Sequence, residues 1–242
     1  MIRLAILRPG GDEPFPPLRC ALREPNGLLA TGGDLGPDRL VEAYRHGIFP
    51  WFSDGDPILW WSPDPRLVFD VTRMHVPRRL ARWLRHCDWT VTADRAFADV
   101  MAACAAPREC QPGTWITAGI SAAYRRLHEL GHAHSIEIWA GGDLVGGLYG
   151  VALGRMFFGE SMFSRASNGS KLALLALAHA LRDWNWPLID AQVSSPHLFT
   201  LGGFELPREE FARRITRLTA EPGLEGPWTT HFPPISPPML AD

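Results

Sequence analysis

With 242 residues, 46% of them hydrophobic and 21% charged, and a formal net charge of −2, the chain is long enough to bury a sizeable core and too nearly neutral to coat nucleic acid nonspecifically. Its four cysteines, Cys20, Cys87, Cys104 and Cys110, lack CxxC spacing, and residues 1–10 hold an apolar stretch too short for a signal peptide, so the thiols read as reduced ones of a cytoplasmic protein. No apolar run approaches the ~18 residues that a membrane-spanning helix needs.

The first sixty residues are rich in Gly, Pro and Trp and poor in periodicity, with one clear helix over 37–46 that opens on Pro37 and stops at Gly47. From 49 to 65 the sequence FPWFSDGDPILWWSPDP alternates aromatic residues with turn formers and follows neither helical nor strand period. This predicts a small irregular N-terminal domain over 1–64 and a second domain over 65–242. Beyond the boundary, a helix after Pro77 sets Arg78, Arg82 and Arg85 along one face. A strand over 89–92 follows, then helices over 94–105 and 117–130, the second ended by Gly131. Strands over 134–139, 144–153 and 156–159 are joined by tight turns into an antiparallel meander. A long helix over 170–184, capped by Asn168, carries Leu172, Leu174, Leu175, Leu177 and Leu181 on a broad apolar side. A strand over 187–193, a short helix near 197–201, a helix over 207–218 and a Pro-rich tail over 222–242 complete the chain. From residue 89 the element order resembles that of the acyl-CoA N-acyltransferase (GNAT-like) fold, an α+β class whose mixed sheet is split to admit an acyl donor.

Apolar runs of this kind form buried strands, so the polar residues inside them are either paired or used. Asp190 and Gln192, two apart in LIDAQ, share a strand face, while Ile189, Ala191 and Val193 take the other. Glu160 follows the 156–159 strand. If the two strands are neighbours, these three side chains converge on one positively charged amine. Alternatively the acids pair with arginines, of which the chain has 23. His132 and His134 have the spacing of a metal pair, but nothing nearby completes a site, so they read as hydrogen-bonded structural residues and no metal is expected. Lys171, in the first turn of the long helix where the dipole disfavours a cation, is left open to Glu160, an RNA phosphate or solvent.

Eight motifs occur in order: GGDLGPDRL (32–40), GIFPWF (47–52), WWSPDPR (60–66), TWI (114–116), GHAHSIE (131–137), LVGGLYGVALG (144–154), GESMFSR (159–165) and LIDAQ (188–192). Together they closely resemble the leucyl/phenylalanyl-tRNA-protein transferases, over about residues 27–211. The resemblance implies an enzyme that moves Leu or Phe from aminoacyl-tRNA to the α-amine of proteins beginning with Arg or Lys, marking them for degradation, on an acyltransferase-like domain and without coenzyme A or another cofactor. It implies Asp190 and Gln192 as the catalytic pair, the Gln carbonyl orienting the amine, and Glu160 as the holder of the acceptor's basic residue. Trp51 and Trp115 match the tryptophans that stack the terminal adenine, a contact worth roughly 1–3 kcal/mol. Leu148, Phe157, Leu177 and Leu181 match the aminoacyl pocket, whose apolar character would admit Met as well, and Arg78, Arg82 and Arg85 match the basic cluster under the acceptor stem. Ala191 stands where the family usually has Cys, on the face turned away from the site in this strand register. Taken alone, the same residues read as core and as a solvated helix face. A monomer without a membrane partner is expected.

The donor ester is already reactive, and an α-amine of pKa roughly 7.7–8.0 is partly neutral at pH 7, so positioning and proton removal are what the protein must supply. Two other classes fit less well. A coenzyme A-dependent acetyltransferase needs a glycine-rich phosphate loop, which GESMFSRASNGSK does not clearly provide. A noncatalytic RNA-binding module leaves Asp190, Gln192 and Glu160 unexplained.

Overall fold

The computed structural model describes residues 4–107 and 114–241; Cys110 lies outside the described residues. Two mixed sheets and seven α-helices are formed among them. The smaller sheet, in the order β1–β2–β4–β3, comprises β1 (Ala5–Leu7), β2 (Leu28–Gly32), β3 (Phe49–Pro50) and β4 (Leu59–Trp61), with α1 (Pro37–Arg45) beside it. The sequence predicts α1 but not this sheet, because strands of two to five residues are too short to show alternation.

The larger sheet has seven strands in the order β11–β5–β10–β9–β8–β7–β6. They are β5 (Arg66–Asp70), β6 (Thr90–Ala93), β7 (Ala133–Ala140), β8 (Asp143–Leu153), β9 (Met156–Ser164), β10 (Leu188–Gln192) and β11 (Phe204–Leu206). The predicted meander is β7–β8–β9, and its pairs are antiparallel. The one parallel pair among the described strands of this sheet, β9 with β10, needs a crossover, which α5 (Gly169–Asp183) supplies. That crossover is tight: a Cβ on Gly146 of β8 would lie 2.5 Å from the backbone of Gly169, so both positions admit only glycine without displacement. Neither β5 nor β11 is predicted. Both extend the sheet past β10, which is therefore an interior strand, and this explains why LIDAQ is so apolar.

The remaining helices are α2 (Arg78–Leu84), α3 (Phe97–Ala105), α4 (Ala118–Glu129), α6 (Pro196–Phe199) and α7 (Arg208–Leu218). On one face of the large sheet, α5 and the end of the chain form a core with Phe69, Ile136, Leu148, Phe157 and Ile189. On the other, α1, α3, α4, α7 and the small sheet pack around Val68, Tyr149, Val151, Phe158 and Leu188. Side chains that alternate along β9 and β10 thus enter two different cores.

Three expected boundaries differ. The helix predicted from 94 starts at Phe97, because Asp94 takes a left-handed backbone (φ 57°). The strand expected to end at Gly159 runs to Ser164, so Glu160 lies inside β9. Asn168 precedes α5 in a left-handed conformation (φ 76°), and its side-chain oxygen accepts from Lys171 Nζ (3.2 Å) instead of capping. Ser164 Oγ takes over the cap, accepting from the Ser170 N–H (2.8 Å).

Asp94 instead anchors the tail. Its carboxylate accepts from the N–H groups of Ser135 (2.9 Å) and Trp228 (2.7 Å) and pairs with His134 Nδ1 (2.8 Å). Trp228, fully buried, stacks on His134 at 4.2 Å, so His134 has the hydrogen-bonded structural role expected of it. Asp94→Ala strands these donors and should cost about 3 kcal/mol or more. Hydrogen exchange should quicken selectively around Trp228; unchanged exchange there would show that the tail is held by other contacts.

Candidate active site

Arg66 opens β5 and is completely buried, as is Asp190 on the neighbouring strand β10. The guanidinium forms a bidentate pair with Asp190, Nε to Oδ1 at 2.8 Å and Nη2 to Oδ2 at 2.6 Å, and Nη1 donates to the Gly47 carbonyl (3.1 Å). It is also sandwiched by the rings of Phe49 and Phe211, each 4.8 Å from its carbon. Gly47 has φ 71°, and a Cβ there would meet Phe211 at 2.9 Å, so this close approach requires glycine. Asp190 is therefore paired with an arginine, one of the two alternatives the sequence left open. Glu160 is not.

The pairing also shapes the backbone beyond Asp190. The register with β5 shifts between Asp190 and Gln192, Gln192 takes a left-handed backbone (φ 61°), and its N–H donates to Asp190 Oδ1 (2.9 Å). Asp190 and Gln192 do not adjoin by simple strand alternation, then; a bulge turns Gln192 so that its side-chain Nε2 donates to Glu160 Oε1 (2.7 Å). With the amino end of the carboxamide committed, its carbonyl oxygen is the end left for a substrate donor.

Glu160 is buried among hydroxyls. Tyr44 donates to Oε1 (2.7 Å), Tyr124 to Oε2 (3.0 Å), and the two tyrosine oxygens are themselves in short hydrogen-bond contact. The chain has three tyrosines, and the third, Tyr149, packs edge-on against Tyr124 (5.8 Å). Three oxygen–oxygen contacts among Tyr44, Tyr124 and the carboxyl need three protons, of which the hydroxyls bring two. The ring is fully bonded when Glu160 is protonated and one proton short when it is ionised. Burial pushes Glu160 up to about 7, and the charge of Asp190 adds to it against the lowering by its hydrogen-bond donors. Burial, with the Glu160 charge second, raises Tyr44 and Tyr124 well above the ordinary phenol, so they remain neutral donors.

Beside this cluster β9 and β10 part company. Their last register pair is Phe158 with Asp190, yet β9 continues to Ser164. A cavity of about 840 Å³ fills the cleft, lined by Glu160, Asp190 and Tyr149 on one side and by Leu148, Phe157, Leu177 and Ile189 on the other. Leu181 is fully buried in the same core but is not among the described lining residues. Ala191 does line the cavity. It points away from the Glu160 cluster, as expected, but towards the apolar wall, because the cleft reaches both faces of the sheet.

The other expected positions make no hydrogen bond to this cluster among the described residues. Trp51 is 44% exposed, with its ring 5.6 Å from Trp61, whose indole N–H donates to the Trp51 carbonyl (2.6 Å). Trp115 is half-buried against the core that holds Tyr44 and Tyr124. Arg78, Arg82 and Arg85 are exposed on and just after α2, joined there by Arg79. Arg66 and the tyrosines carry no expected role in the sequence reading. The available signals were a lone arginine heading the apolar run RLVFD and the rarity of tyrosine itself.

Comparison with known proteins shows the family to which the chain belongs. Residues 68–216 match the family described as leucyl/phenylalanyl-tRNA protein transferase, and residues 33–64 match the family described as its N-terminal domain. The leucyl/phenylalanyl-tRNA–protein transferase of Xanthomonas campestris pv. campestris (strain B100) is 58% identical over 228 residues, 94% of this chain and 92% of that one. The protein of the same name from Nitrosomonas europaea is 55% identical over 221 residues, 91% and 94% respectively. Among solved structures, that of L-PGS from Bacillus licheniformis aligns over 69% of this chain and 53% of that one at a TM-score of 0.39 and 8% identity, too weak a likeness to bear on the fold.

The environment of Glu160 has a consequence for stability. A carboxyl raised from 4.5 to about 7 holds its proton more tightly folded than unfolded, so its contribution is complete below about pH 4.5 and is lost as pH climbs to about 7. In urea denaturation, Glu160→Gln should gain on the wild type over that window by up to a few kcal/mol. A difference between the two proteins that does not vary with pH would show an ordinary carboxylate.

Proposed function

The chain belongs to the leucyl/phenylalanyl-tRNA protein transferase family, and on that footing we propose that this aminoacyltransferase moves Leu, Phe or Met from aminoacyl-tRNA to the α-amine of proteins that begin with Arg or Lys. The observation that carries the reading is Gln192: its amino end is tied to Glu160 and its backbone to Asp190, so its carbonyl oxygen is presented in one orientation. A carbonyl oxygen accepts from the amine without taking its proton, which fixes the nitrogen lone pair towards the ester carbon. The C–N bond then forms, the ester C–O bond breaks, and the proton lost by the amine balances the one gained by the ribose hydroxyl.

Asp190 holds this arrangement through Arg66 and the Gln192 N–H, and Glu160, ionised, holds the cationic side chain of the acceptor. The apolar wall of Leu148, Phe157 and Leu177, backed by Leu181, receives the aminoacyl side chain; it offers nothing to hydrogen-bond, which suits Leu, Phe and Met alike. Exposure of Trp51 and of the α2 arginines supports their roles towards the terminal adenine and the acceptor stem, with Trp115 as the second stacking partner. The cleft between β9 and β10 supports the GNAT-like description, with an N-terminal domain over 1–64 and a catalytic domain over 65–242. A cytoplasmic monomer that marks its acceptors for N-degron degradation, without a cofactor, completes the proposal.

With radiolabelled Phe-tRNA and peptides beginning with Arg, Lys or Ala, label is expected on the Arg and Lys peptides alone. Gln192→Ala should lower the turnover by about 10²-fold or more while Phe-tRNA binding is retained. Equal labelling of the Ala peptide, or full turnover in the variant, would contradict the proposal.

A further inference from the structure

Tyr149 is the third tyrosine of the cluster and the one whose hydroxyl the cluster does not use. Its side chain is fully buried, its oxygen has no hydrogen-bond partner among the described residues, and the residue is one of those that line the cavity. A buried hydroxyl left unpaired is costly, so an orphan at a cavity wall marks a place where a ligand completes the bonding. The ring is held rigidly, edge-on to Tyr124 at 5.8 Å and to Phe97 at 5.9 Å.

Register explains why Glu160 shares its surroundings. On β8, Tyr149 pairs with Ser161 and Gly150 with Gly159, which leaves Glu160 as the extra residue of a bulge on β9. That bulge turns the carboxyl to the face that carries Tyr149, Tyr44 and Tyr124. Of the four lone-pair sites of the carboxylate, Oε1 accepts from Tyr44 and Gln192, and Oε2 from Tyr124, so one site on Oε2 is uncommitted. A single carboxylate site and a neutral phenol oxygen form a two-acceptor set of net charge −1, suited to a cation with several N–H donors. Ala103, Ala106 and Pro107, at the end of α3, wall the cavity on the same side without offering a polar side chain.

We propose that Tyr149 is a second recognition group for the acceptor, its hydroxyl oxygen accepting from the guanidinium or ammonium group held by Glu160. The assignment rests on the acceptor reading given above and adds a specificity-determining residue to it. An uncharged N-terminal side chain leaves both acceptors unsatisfied, which discriminates more strongly than shape alone.

The test is Tyr149→Phe, which removes the oxygen and keeps the ring. In steady-state transfer from Phe-tRNA, the KM for an Arg peptide should rise about tenfold or more, as expected for a lost hydrogen bond to a charged group. Turnover at saturating acceptor and the Kd for Phe-tRNA should stay within about twofold. The Tm of the free protein should be unchanged or higher, since an unpaired hydroxyl is lost. An unchanged KM, a weakened Phe-tRNA complex or a lowered Tm would each overturn the role of Tyr149. If the wild type labels an Ala peptide as well as an Arg peptide, it is instead the underlying acceptor reading that fails.

Discussion

A single buried ion pair organises this molecule. Arg66 and Asp190 have no exposed surface, and two charges taken from water at that depth are tolerated only with close geometry and hydrogen bonds beyond the pair itself. Both conditions are met. The guanidinium is bidentate, its remaining edge donates to Gly47, and aromatic rings from β3 and α7 cover its faces. Through this one side chain the small sheet, β5, β10 and α7 acquire a common reference point, and the Gly47–Phe49 stretch is fixed against the large sheet.

The chemistry of the site is downstream of that pair. Asp190 is already satisfied by Arg66, so it acts on Gln192 through the backbone N–H, and the bulge it stabilises delivers the carboxamide to Glu160. Glu160 in turn sits where three tyrosines, one amide and the neighbouring Asp190 meet, poised near neutrality instead of at the ordinary carboxylate value. The reaction needs no strong base if the amine arrives partly neutral and well aimed. What the protein provides is a cleft between two strands, with Glu160, Asp190 and Tyr149 on the face towards α1 and α4 and a largely apolar wall on the face towards α5.

Much of this was legible in the chain. The long apolar helix α5, the meander and the polar residues of LIDAQ and GESMFSR stand out because periodicity and burial leave a strong signal over many residues. The short strands of the N-terminal sheet, β5 and β11 carry no such signal, and without β5 the partner of Asp190 was invisible. Strand alternation also placed Asp190 and Gln192 as neighbours for the wrong reason, since a bulge and a left-handed residue, not a regular pleat, bring them to Glu160. Tyr44 and Tyr124 come from helices more than thirty residues away in sequence from Glu160, a convergence that only the tertiary fold displays.

The most direct test of the account is the single-turnover rate of Phe transfer to an Arg peptide in Arg66→Lys. Lysine preserves the buried charge but cannot reproduce a bidentate fork. If the pair sets the orientation of Gln192, the variant should fold and bind Phe-tRNA, and its rate should fall by about tenfold or more. A wild-type rate in a folded variant would contradict the dependence of the site on this pair.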